Sequence, residues 1–501
     1  MVVFRVLSID RSTIIIIFVT NDYGMKSQLI ARRRECEILQ QCYTSTESEF
    51  VVVFGRRRIG KTFLIEQFFD KKYDFKYVGA HNLRTREQLV NFSKALSRYS
   101  RSKPRAFADW FEAFDALAEY LGKLPDDRRK VVFIDEMPWM DSKRSDFVSA
   151  LENFWNGWAT EQENIMLVAT GSASSWMVDK LIKNNGGLHN RITERIFLQP
   201  FTLGETEEYL RSRKIQWDRY QILQTYMLTG GVPYYLKLLN PKDSLAQNID
   251  RLCFTDNGAL RIEYDELYNA VFPTAEMYTR IVELLSNHKS GLSRQEISAT
   301  THLNGSNLTR ILTNLERCGF IAKRAQYGQK KNEAIFRLVD FYTIFYFRFI
   351  AADTSLDDHW WSHHIDTGST LAWMGLAFEL ICLEHHRQIK AALGIAGMAT
   401  EVSTWRHKAS QSDGDVNGAQ IDMIIERADR IIHLCEIKFS RNKFSLTRDY
   451  EERLRNRQWL FQEVTKVKKT IVQTFVTTYG LSNPEAWSII HSEVTMDDLF
   501  T

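Results

Sequence analysis

The chain has few cysteines for its 501 residues, and they form no pattern. No two of the six are spaced as C-x-x-C, which argues against a zinc ribbon and against a disulfide scaffold. Scattered free cysteines fit a reducing compartment, so we expect a cytoplasmic protein. The six are Cys36, Cys42, Cys253, Cys318, Cys382 and Cys435.

Long hydrophobic runs and a strong net charge are also missing. No apolar stretch approaches the roughly 18 residues that a membrane-spanning helix needs, so no membrane partner is expected. The run from Ile14 to Val19 is short for a signal peptide and no clean cleavage site follows it. We therefore expect translation to start at Met25, with residues 1–24 outside the folded protein. A net charge of +3 leaves nucleic-acid binding to local basic patches.

Motifs typical of helicases are absent as well, which argues against a DNA-translocating motor. What remains is an ordinary globular composition, with 44% hydrophobic and 25% charged residues. The length is too great for one core, and about three domains are expected.

The most informative stretch is a glycine-rich loop between a predicted strand, 50–54, and a predicted helix, 63–69. It fits the pattern G-x-x-x-x-G-K-[ST], in which backbone N–H groups and a helix N-terminus cradle phosphates. Lys61 is expected to reach the β- and γ-phosphates of ATP, and Thr62 to hold Mg²⁺. The nucleotide-binding loop comprises Gly55, Arg56, Arg57, Arg58, Ile59, Gly60, Lys61 and Thr62.

Two acids follow a second buried strand, 131–134, at the carboxyl end where ligands bind in parallel sheets. Asp135 is predicted to bind Mg²⁺ through water, and Glu136 to polarise the water that attacks ATP. A third strand ends in Thr170-Gly171-Ser172. Either Thr170 or Ser172 is expected to touch the γ-phosphate or the water.

A cation is also needed to offset charge in the transition state. Arg191 is the candidate arginine finger, and Arg195 is the alternative. A surface arginine or a salt bridge is the other interpretation of Arg191.

Taken together with Pro200-Phe201 and the run from Thr229 to Pro233, these motifs resemble the archaeal-type prokaryotic ATPases. That family lies in the STAND branch of AAA-like P-loop NTPases, and the resemblance extends from Gln28 onward. It implies an ATP-hydrolysing switch with a helical lid whose Gly-x-Pro turn contacts the nucleotide. Gly231-Val232-Pro233 matches that turn, which makes Pro233 a nucleotide contact. The segment 30–37 is similar to the one that the family places beside the adenine.

The middle of the chain is predicted to form a helical lid, 204–270, and a winged helix, 271–340. A capping box at Ser293 and Glu296 opens the second of three helices. Winged helices often bind DNA, but this third helix is only mildly basic, so DNA binding and a structural role both stay open. Its predicted exposed positions are Asn307, Thr309, Arg310, Thr313, Asn314 and Arg317.

The last part of the chain, 341–501, places acids on predicted strands. Strict alternation puts Asp422 on the face of Ile424, and it puts Glu436 and Lys438 together on the next strand. Ionised groups on an apolar strand face are costly unless they bind metal or each other. The aromatic stretch 341–350 that precedes them is expected to be core.

An Asp followed by Glu-x-Lys on a hairpin resembles the PD-(D/E)xK nuclease fold, a restriction-endonuclease-like α/β domain. The resemblance implies that Asp422 and Glu436 hold Mg²⁺ and that Lys438 positions or activates the attacking water. Glu379, on the preceding helix, matches the acid that this fold adds. The polar loop 410–418 is longer than the pattern requires.

The sequence therefore predicts an α/β protein with a P-loop ATPase domain, 25–203, a lid, a winged helix and a nuclease-like domain. We expect an ATPase that gates metal-dependent DNA cleavage. The alternative is a nucleotide-switched DNA-binding regulator or scaffold with an inert C-terminal domain. ATP, Mg²⁺ and DNA are the expected ligands, while RNA as substrate and self-association stay open.

Overall fold

The computed structural model describes most of the chain from residue 29 onward. The described ranges are 29–142, 145–172, 176–182, 187–188, 190–272, 274–329, 334–355, 357–407 and 419–501. The extension 1–24 and the loop 410–418 lie outside them. Within these ranges, no helix has both the length and the apolar character needed to cross a membrane.

A five-stranded parallel sheet forms the N-terminal domain, as predicted. Its elements are α1 (Arg33–Thr44), β1 (Glu49–Gly55), α2 (Lys61–Phe68), β2 (Phe75–Val78), α3 (Thr85–Ser100), α4 (Trp110–Gly122), β3 (Lys130–Asp135), α5 (Phe147–Gly157), β4 (Ile165–Ser172) and β5 (Glu194–Phe197). The strand order is β2-β3-β4-β1-β5, which inserts β4 between the strands that precede the loop and the acids.

Helices cover both faces of this sheet, which explains its continuous apolar strands. Along β1, Phe50 and Val52 pack against α3, α4 and α5, while Val51 and Val53 pack against α1 and α2. The carboxyl ends of β1, β3 and β4 therefore meet at one edge, where a ligand can reach them.

Five helices follow in the described ranges, and four of them begin at a local signal. They are α6 (Leu203–Ser212), α7 (Arg219–Thr229), α8 (Pro233–Lys237), α9 (Leu245–Ile249) and α10 (Glu263–Val271). Capping boxes open α6, α7 and α9, and Pro233 opens α8. Gly231, at φ +67, turns the chain after α7, and a Cβ there would lie 2.1 Å from the carbonyl oxygen of Phe201. The turn thus packs directly on the backbone that leaves β5.

A three-helix unit with a small antiparallel sheet comes next, as predicted. It contains α11 (Ala275–Ser286), β6 (Leu292–Ser293), α12 (Arg294–Thr301), α13 (Gly305–Arg317), β7 (Ile321–Arg324) and β8 (Ile335–Leu338), with strand order β6-β8-β7. The predicted capping box is present, because Ser293 Oγ accepts from Glu296 N at 3.2 Å and Glu296 accepts from Ser293 N at 2.8 Å.

The C-terminal part holds a second five-stranded sheet. Its elements are α14 (Phe341–Phe345), α15 (Trp360–His364), α16 (Gly368–Glu384), α17 (His386–Ala392), β9 (Thr400–His407), β10 (Ala419–Arg427), β11 (Ile431–Lys438), α18 (Arg448–Thr465), β12 (Thr470–Thr477) and β13 (Ile490–Thr495). β9, β10 and β11 are antiparallel neighbours, and α18 crosses over to the parallel strands β12 and β13. The aromatic stretch is core, since Phe341, Phe345 and Phe349 are buried.

The winged helix is attached to this sheet through backbone hydrogen bonds. Just after β7, Tyr327 N donates to Thr404 O at 2.8 Å, and Thr404 N donates to Ala325 O at 3.2 Å. These bonds satisfy part of the otherwise unpaired edge of β9. The wing therefore belongs to the edge of the C-terminal sheet.

Strict alternation along β10 is wrong, because the strand carries a bulge between Ile421 and Ile424. Both isoleucines pack with Ile432 and Leu434, although residues three apart in a regular strand lie on opposite faces. Asp422 lies inside the bulge, so its direction does not follow from that of Ile424.

Candidate functional site

The nucleotide-binding loop is tightly built around Gly55 and Lys61. A Cβ on Gly55 would lie 2.4 Å from the carbonyl oxygen of Leu198, so only glycine fits there. Lys61 Nζ donates to the carbonyl oxygens of Gly55, at 3.3 Å, and Arg56, at 3.0 Å. Burial lowers the pKa of Lys61. The ammonium group thus lies inside the loop. Among the described residues its hydrogen bonds go only to neutral carbonyls, which an anionic phosphate can outcompete.

The ends of β1, β3 and β4 bring four predicted residues together. Thr62 Oγ1 donates to Asp135 Oδ2 at 3.0 Å, and the hydroxyl of Thr170 also donates to Asp135. Glu136 N donates to Thr170 Oγ1 at 3.2 Å. This arrangement can hold a cation between Thr62 and Asp135 and present Glu136 beside it.

Glu136 itself is in an unusual state. Its φ is +49°, a left-handed conformation that is rare outside glycine and concentrates at functional sites. Burial raises the pKa of its carboxyl group, while the ammonium group of Lys61 opposes the shift. A carboxylate with a raised pKa and a fixed direction is suited to act as a base.

The candidate arginine fingers are not brought into this cluster. Arg191 lies just before β5, and Arg195 is the second residue of that strand. Both side chains are exposed. Among the described residues, neither forms an ion pair with an acid. An exposed arginine can act on a neighbouring molecule, but nothing in the described ranges identifies that partner.

The contacts of the loop arginines were not predicted from the sequence. Arg56 Nη1 pairs with Asp340 Oδ1 at 2.6 Å, both side chains are buried, and Asp340 also caps α14 by accepting from Thr343 N. Arg58 pairs with Glu263 and with Glu266 of α10, the second contact at 3.2 Å. Three consecutive arginines in the variable positions of the loop were the available signal.

The turn with Pro233 lies against the same loop. Tyr234 N donates to the carbonyl oxygen of Arg58 at 3.3 Å, and the Arg58 guanidinium lies 4.2 Å from the Tyr234 ring centroid. Pro233 therefore begins a helix whose first turn contacts the nucleotide-binding loop.

The third helix of the winged helix, α13, is partly covered, which corrects its predicted exposed face. Thr309 and Arg310 are exposed, whereas Asn307, Thr313, Asn314 and Arg317 are half-buried. Asn314 donates to the Tyr278 hydroxyl at 2.9 Å, and Arg317 pairs with Asp179 of the ATPase domain at 3.0 Å. The C-terminal end of α13 thus packs on the ATPase domain, and this contact depends on tertiary structure that periodicity does not contain.

A second cluster forms around Glu436 in the C-terminal sheet. Its carboxylate accepts hydrogen bonds from Tyr450 and Arg457 of α18, and it pairs with Lys438 Nζ at 2.8 Å. Burial opposes ionisation of Glu436, but Arg457 and Lys438 outweigh it and lower the pKa. Tyr450 and Arg457 were not predicted, although their spacing of seven residues puts them on one helix face.

Glu379 and Asp422 interact electrostatically with Glu436. Burial, and then the neighbouring Asp422, raise the pKa of Glu379 to about 7, while Arg337 lies 3.9 Å from its carboxylate and opposes the shift. Burial, and then Glu436, raise the pKa of Asp422. The structure therefore brings all four predicted residues of this region into one electrostatic cluster, with Arg337 as an unpredicted member.

The side chains of this cluster are of the type that binds a hard cation, but they are not arranged around one. Carboxylate oxygens are the ligands that Mg²⁺ prefers, and acids with raised pKa values gain from a cation. However, no group of three or more His, Cys, Asp or Glu side chains in the described ranges is arranged to hold a metal ion. Arg457, Tyr450 and Lys438 occupy Glu436 instead, so metal binding requires at least one of them to release it.

Two known protein families match parts of this chain. Residues 29–239 match the family described as an ATPase domain predominantly from Archaea, and residues 279–325 match the IclR helix-turn-helix domain. The sheet order and the loop define the class as a P-loop ATPase that carries a helix-turn-helix module. Residues 29–239 therefore form a domain of this archaeal-type ATPase family.

Its relatives include two proteins of Methanocaldococcus jannaschii. One, an uncharacterized protein, is 23% identical over 391 residues, which are 77% of this chain and 83% of the relative. The other, an uncharacterized ATP-binding protein, is 35% identical over 50 residues, which are 10% of this chain and 83% of the relative.

Three solved structures are similar in outline. The Walker-type ATPase of Pyrococcus abyssi is 17% identical, with 64% of this chain and 96% of that chain covered and a TM-score of 0.46. The ORC2 protein of Aeropyrum pernix is 14% identical, with 73% and 98% covered and a TM-score of 0.44. A STAND protein of Pyrococcus horikoshii is 16% identical, with 72% and 50% covered and a TM-score of 0.30. With TM-scores below 0.5, these likenesses carry no argument about function.

Proposed function

We propose that this protein is an ATP-binding and ATP-hydrolysing switch of the STAND kind that controls a metal-dependent nuclease site in its C-terminal domain. The observation that carries the proposal is the cluster of Glu379, Asp422, Glu436 and Lys438, in which Glu436 is buried and the other three are half-buried. Its members come from one helix and two adjacent strands. Ionised groups are not buried together without a compensating role. Ligands for a divalent cation, with a lysine for the attacking water, supply that role.

The ATPase half of the proposal assigns one role to each residue of the first cluster. Lys61 and the loop N–H groups bind the phosphates, and Thr62 and Asp135 hold the Mg²⁺ that accompanies ATP. Glu136 takes a proton from the attacking water, and Thr170 orients that water or the γ-phosphate. The exposed position of Arg191 suits a finger that acts on the site of a second copy of this chain.

The loop arginines supply a route from ATP to the C-terminal domain. A phosphate that binds in the loop must draw Lys61 away from the carbonyls of Gly55 and Arg56. Arg56 is ion-paired to Asp340, the residue that caps α14, and α14 leads into the C-terminal domain. Movement of the loop therefore acts directly on the N-terminal end of α14 through the Arg56–Asp340 ion pair.

A metal ion bound at the second cluster would act as a Lewis acid and lower the pKa of a bound water. Asp422 and Glu436 are the residues that would hold it, with Glu379 as a third acid. In the conformation described, Tyr450 and Arg457 engage Glu436. We propose that this is the inactive state and that nucleotide-driven movement of the domain frees the carboxylate.

A second candidate function is a nucleotide-switched DNA-binding regulator or scaffold with an inert C-terminal domain. The ion pairs of Glu436 favour it, because two cations already neutralise that acid without a metal. Both candidates share the ATPase and the helix-turn-helix, and they differ only in whether the second cluster cuts DNA.

The test is DNA cleavage by the full-length protein with Mg²⁺, in the presence of ATP, of ADP or of neither. Single-stranded and duplex DNA and RNA are compared as substrates. We expect cleavage that depends on nucleotide, is lost in Asp422→Asn with ATPase activity retained, and loses its ATP dependence in Lys61→Ala. Asp429→Asn, in the exposed turn after β10, is the matched control. No cleavage of any substrate, with ATP hydrolysis intact, would establish the regulator instead.

A further inference from the structure

A cavity of about 220 Å³ opens where five parts of the chain meet. Its walls come from α7, the end of α11, the strand β8, α14 with the turn that follows it, and α16. Phe341, Trp373 and Leu376 are among the apolar side chains inside it. This volume is suited to one small organic molecule, and sites between domains are where such ligands often bind.

The charged residues around this cavity are all basic. Lys289, Arg337 and Arg348 line it, and no aspartate or glutamate of the described ranges does so. Lys289 and Arg348 are exposed, and neither forms an ion pair with an acid in the described ranges. Arg337 is paired with Glu379, so Lys289 and Arg348 are the two cations whose charge favours an anion over a cation or a neutral ligand.

We propose that this cavity binds a small organic anion with a flat apolar body, as an effector distinct from ATP and from nucleic acid. Lys289 and Arg348 hold its acidic group, and the apolar wall that includes Phe341 and Trp373 packs against its flat body. The proposal does not depend on DNA cleavage, since it concerns a different cavity and is tested by binding alone.

The place of the cavity suggests what such an effector does. Arg337 lines it and also lies 3.9 Å from Glu379 of the acid cluster. Phe341 lines it and follows Asp340, the partner of Arg56 in the nucleotide-binding loop. A molecule in this cavity therefore contacts residues adjacent to both sites.

The proposal is tested on the full-length chain by the binding of anilinonaphthalene sulfonate. This dye is an aromatic anion that fluoresces in apolar surroundings. We expect saturable binding to one site, weakened about tenfold in the double variant Lys289→Ala/Arg348→Ala, because it loses two charge-assisted contacts. Ala377→Leu, which fills the cavity from α16, should abolish that binding. Lys103→Ala/Lys123→Ala, two exposed lysines of the ATPase domain, is the matched control and should bind as the wild type does.

Neutral phenylnaphthylamine separates an anion site from a merely apolar one. Equal affinity for the two dyes would overturn the proposal, as would unchanged sulfonate binding in both the double variant and Ala377→Leu. Competition then defines the ligand. Displacement of the dye by AMP supports a nucleotide-like effector, and displacement by salicylate alone supports a simpler aromatic acid. Displacement by inorganic phosphate as effectively as by either would show that the apolar interior contributes nothing, and would reject the inference.

Discussion

Metal binding at the acid cluster should depend steeply on pH, because Glu379 must lose its proton before it can bind a cation. Burial and the neighbouring Asp422 raise the pKa of Glu379 to about 7. With that value, about a tenth of the side chains are ionised at pH 6 and about nine-tenths at pH 8. Since only the ionised form binds metal, the apparent affinity should rise about tenfold between these two pH values.

Calorimetric titration of the full-length chain with MnCl₂, without nucleotide, measures this change. At pH 6 the binding should also release about one proton for each ion, which two buffers of different ionisation enthalpy reveal. Glu379→Gln is the control, since it should bind more weakly and with a flatter pH profile. A wild-type affinity that changes less than about twofold from pH 6 to pH 8, or an equal slope in Glu379→Gln, would refute the reasoning.

The same shift has a consequence for stability, with a definite sign. The folded pKa of Glu379 lies above its ordinary value of 4.5, so the folded state binds the proton more tightly than the unfolded chain does. Its contribution to stability is complete below about pH 4.5 and is lost as the pH rises through about 7. The melting temperature of the wild type relative to Glu379→Gln should therefore fall between pH 5 and pH 7.5.

Further predictions concern the ATPase half. Glu136→Gln should keep ATP binding, measured by titration, and lower turnover about 10²- to 10⁴-fold; hydrolysis at the wild-type rate would disprove its role as base. Gly231→Ala should lower the free energy of unfolding by about 2–4 kcal/mol, because it adds a clash with a backbone carbonyl at a positive φ. Gly375→Ala, inside a helix with nothing within 4 Å, is its control and should raise that free energy by about 0.5–1 kcal/mol. Arg56→Met and Asp340→Asn should each lower the free energy of unfolding by about 3–5 kcal/mol. The double variant should lower it by clearly less than the sum of the two. Additive losses would show that the buried pair is not coupled.

Local signals in the sequence were sufficient for the parallel sheet and the helix-turn-helix. A buried strand, a glycine loop and a helix start are consecutive in the chain, so the pattern Gly55 to Thr62 contains the whole local geometry. The capping box at Ser293 is local in the same way, and it forms as predicted. The order in which β4 enters between β1 and β3 requires the tertiary structure, because strand order is set by crossovers rather than by neighbours.

Local periodicity failed where a strand departs from regular geometry or a surface is covered from a distance. One extra residue in the β10 bulge breaks the alternation, so the face of Asp422 no longer follows from that of Ile424. The face of α13 was predicted to be exposed, but Tyr278 and Asp179 contact it from 36 and 138 residues away. No window of a few turns can contain such contacts.

The sequence alone determined which residues have the chemistry for phosphate and metal, since Lys61, Asp135, Asp422 and Glu436 belong to short motifs. Only the tertiary structure decided what those residues contact. It paired Arg56 with Asp340 across 284 residues and placed Arg337 and Arg457 beside the acids. The physical reason is that burial and charge act through space, and the distances that set a pKa or an ion pair exist only once the chain is folded.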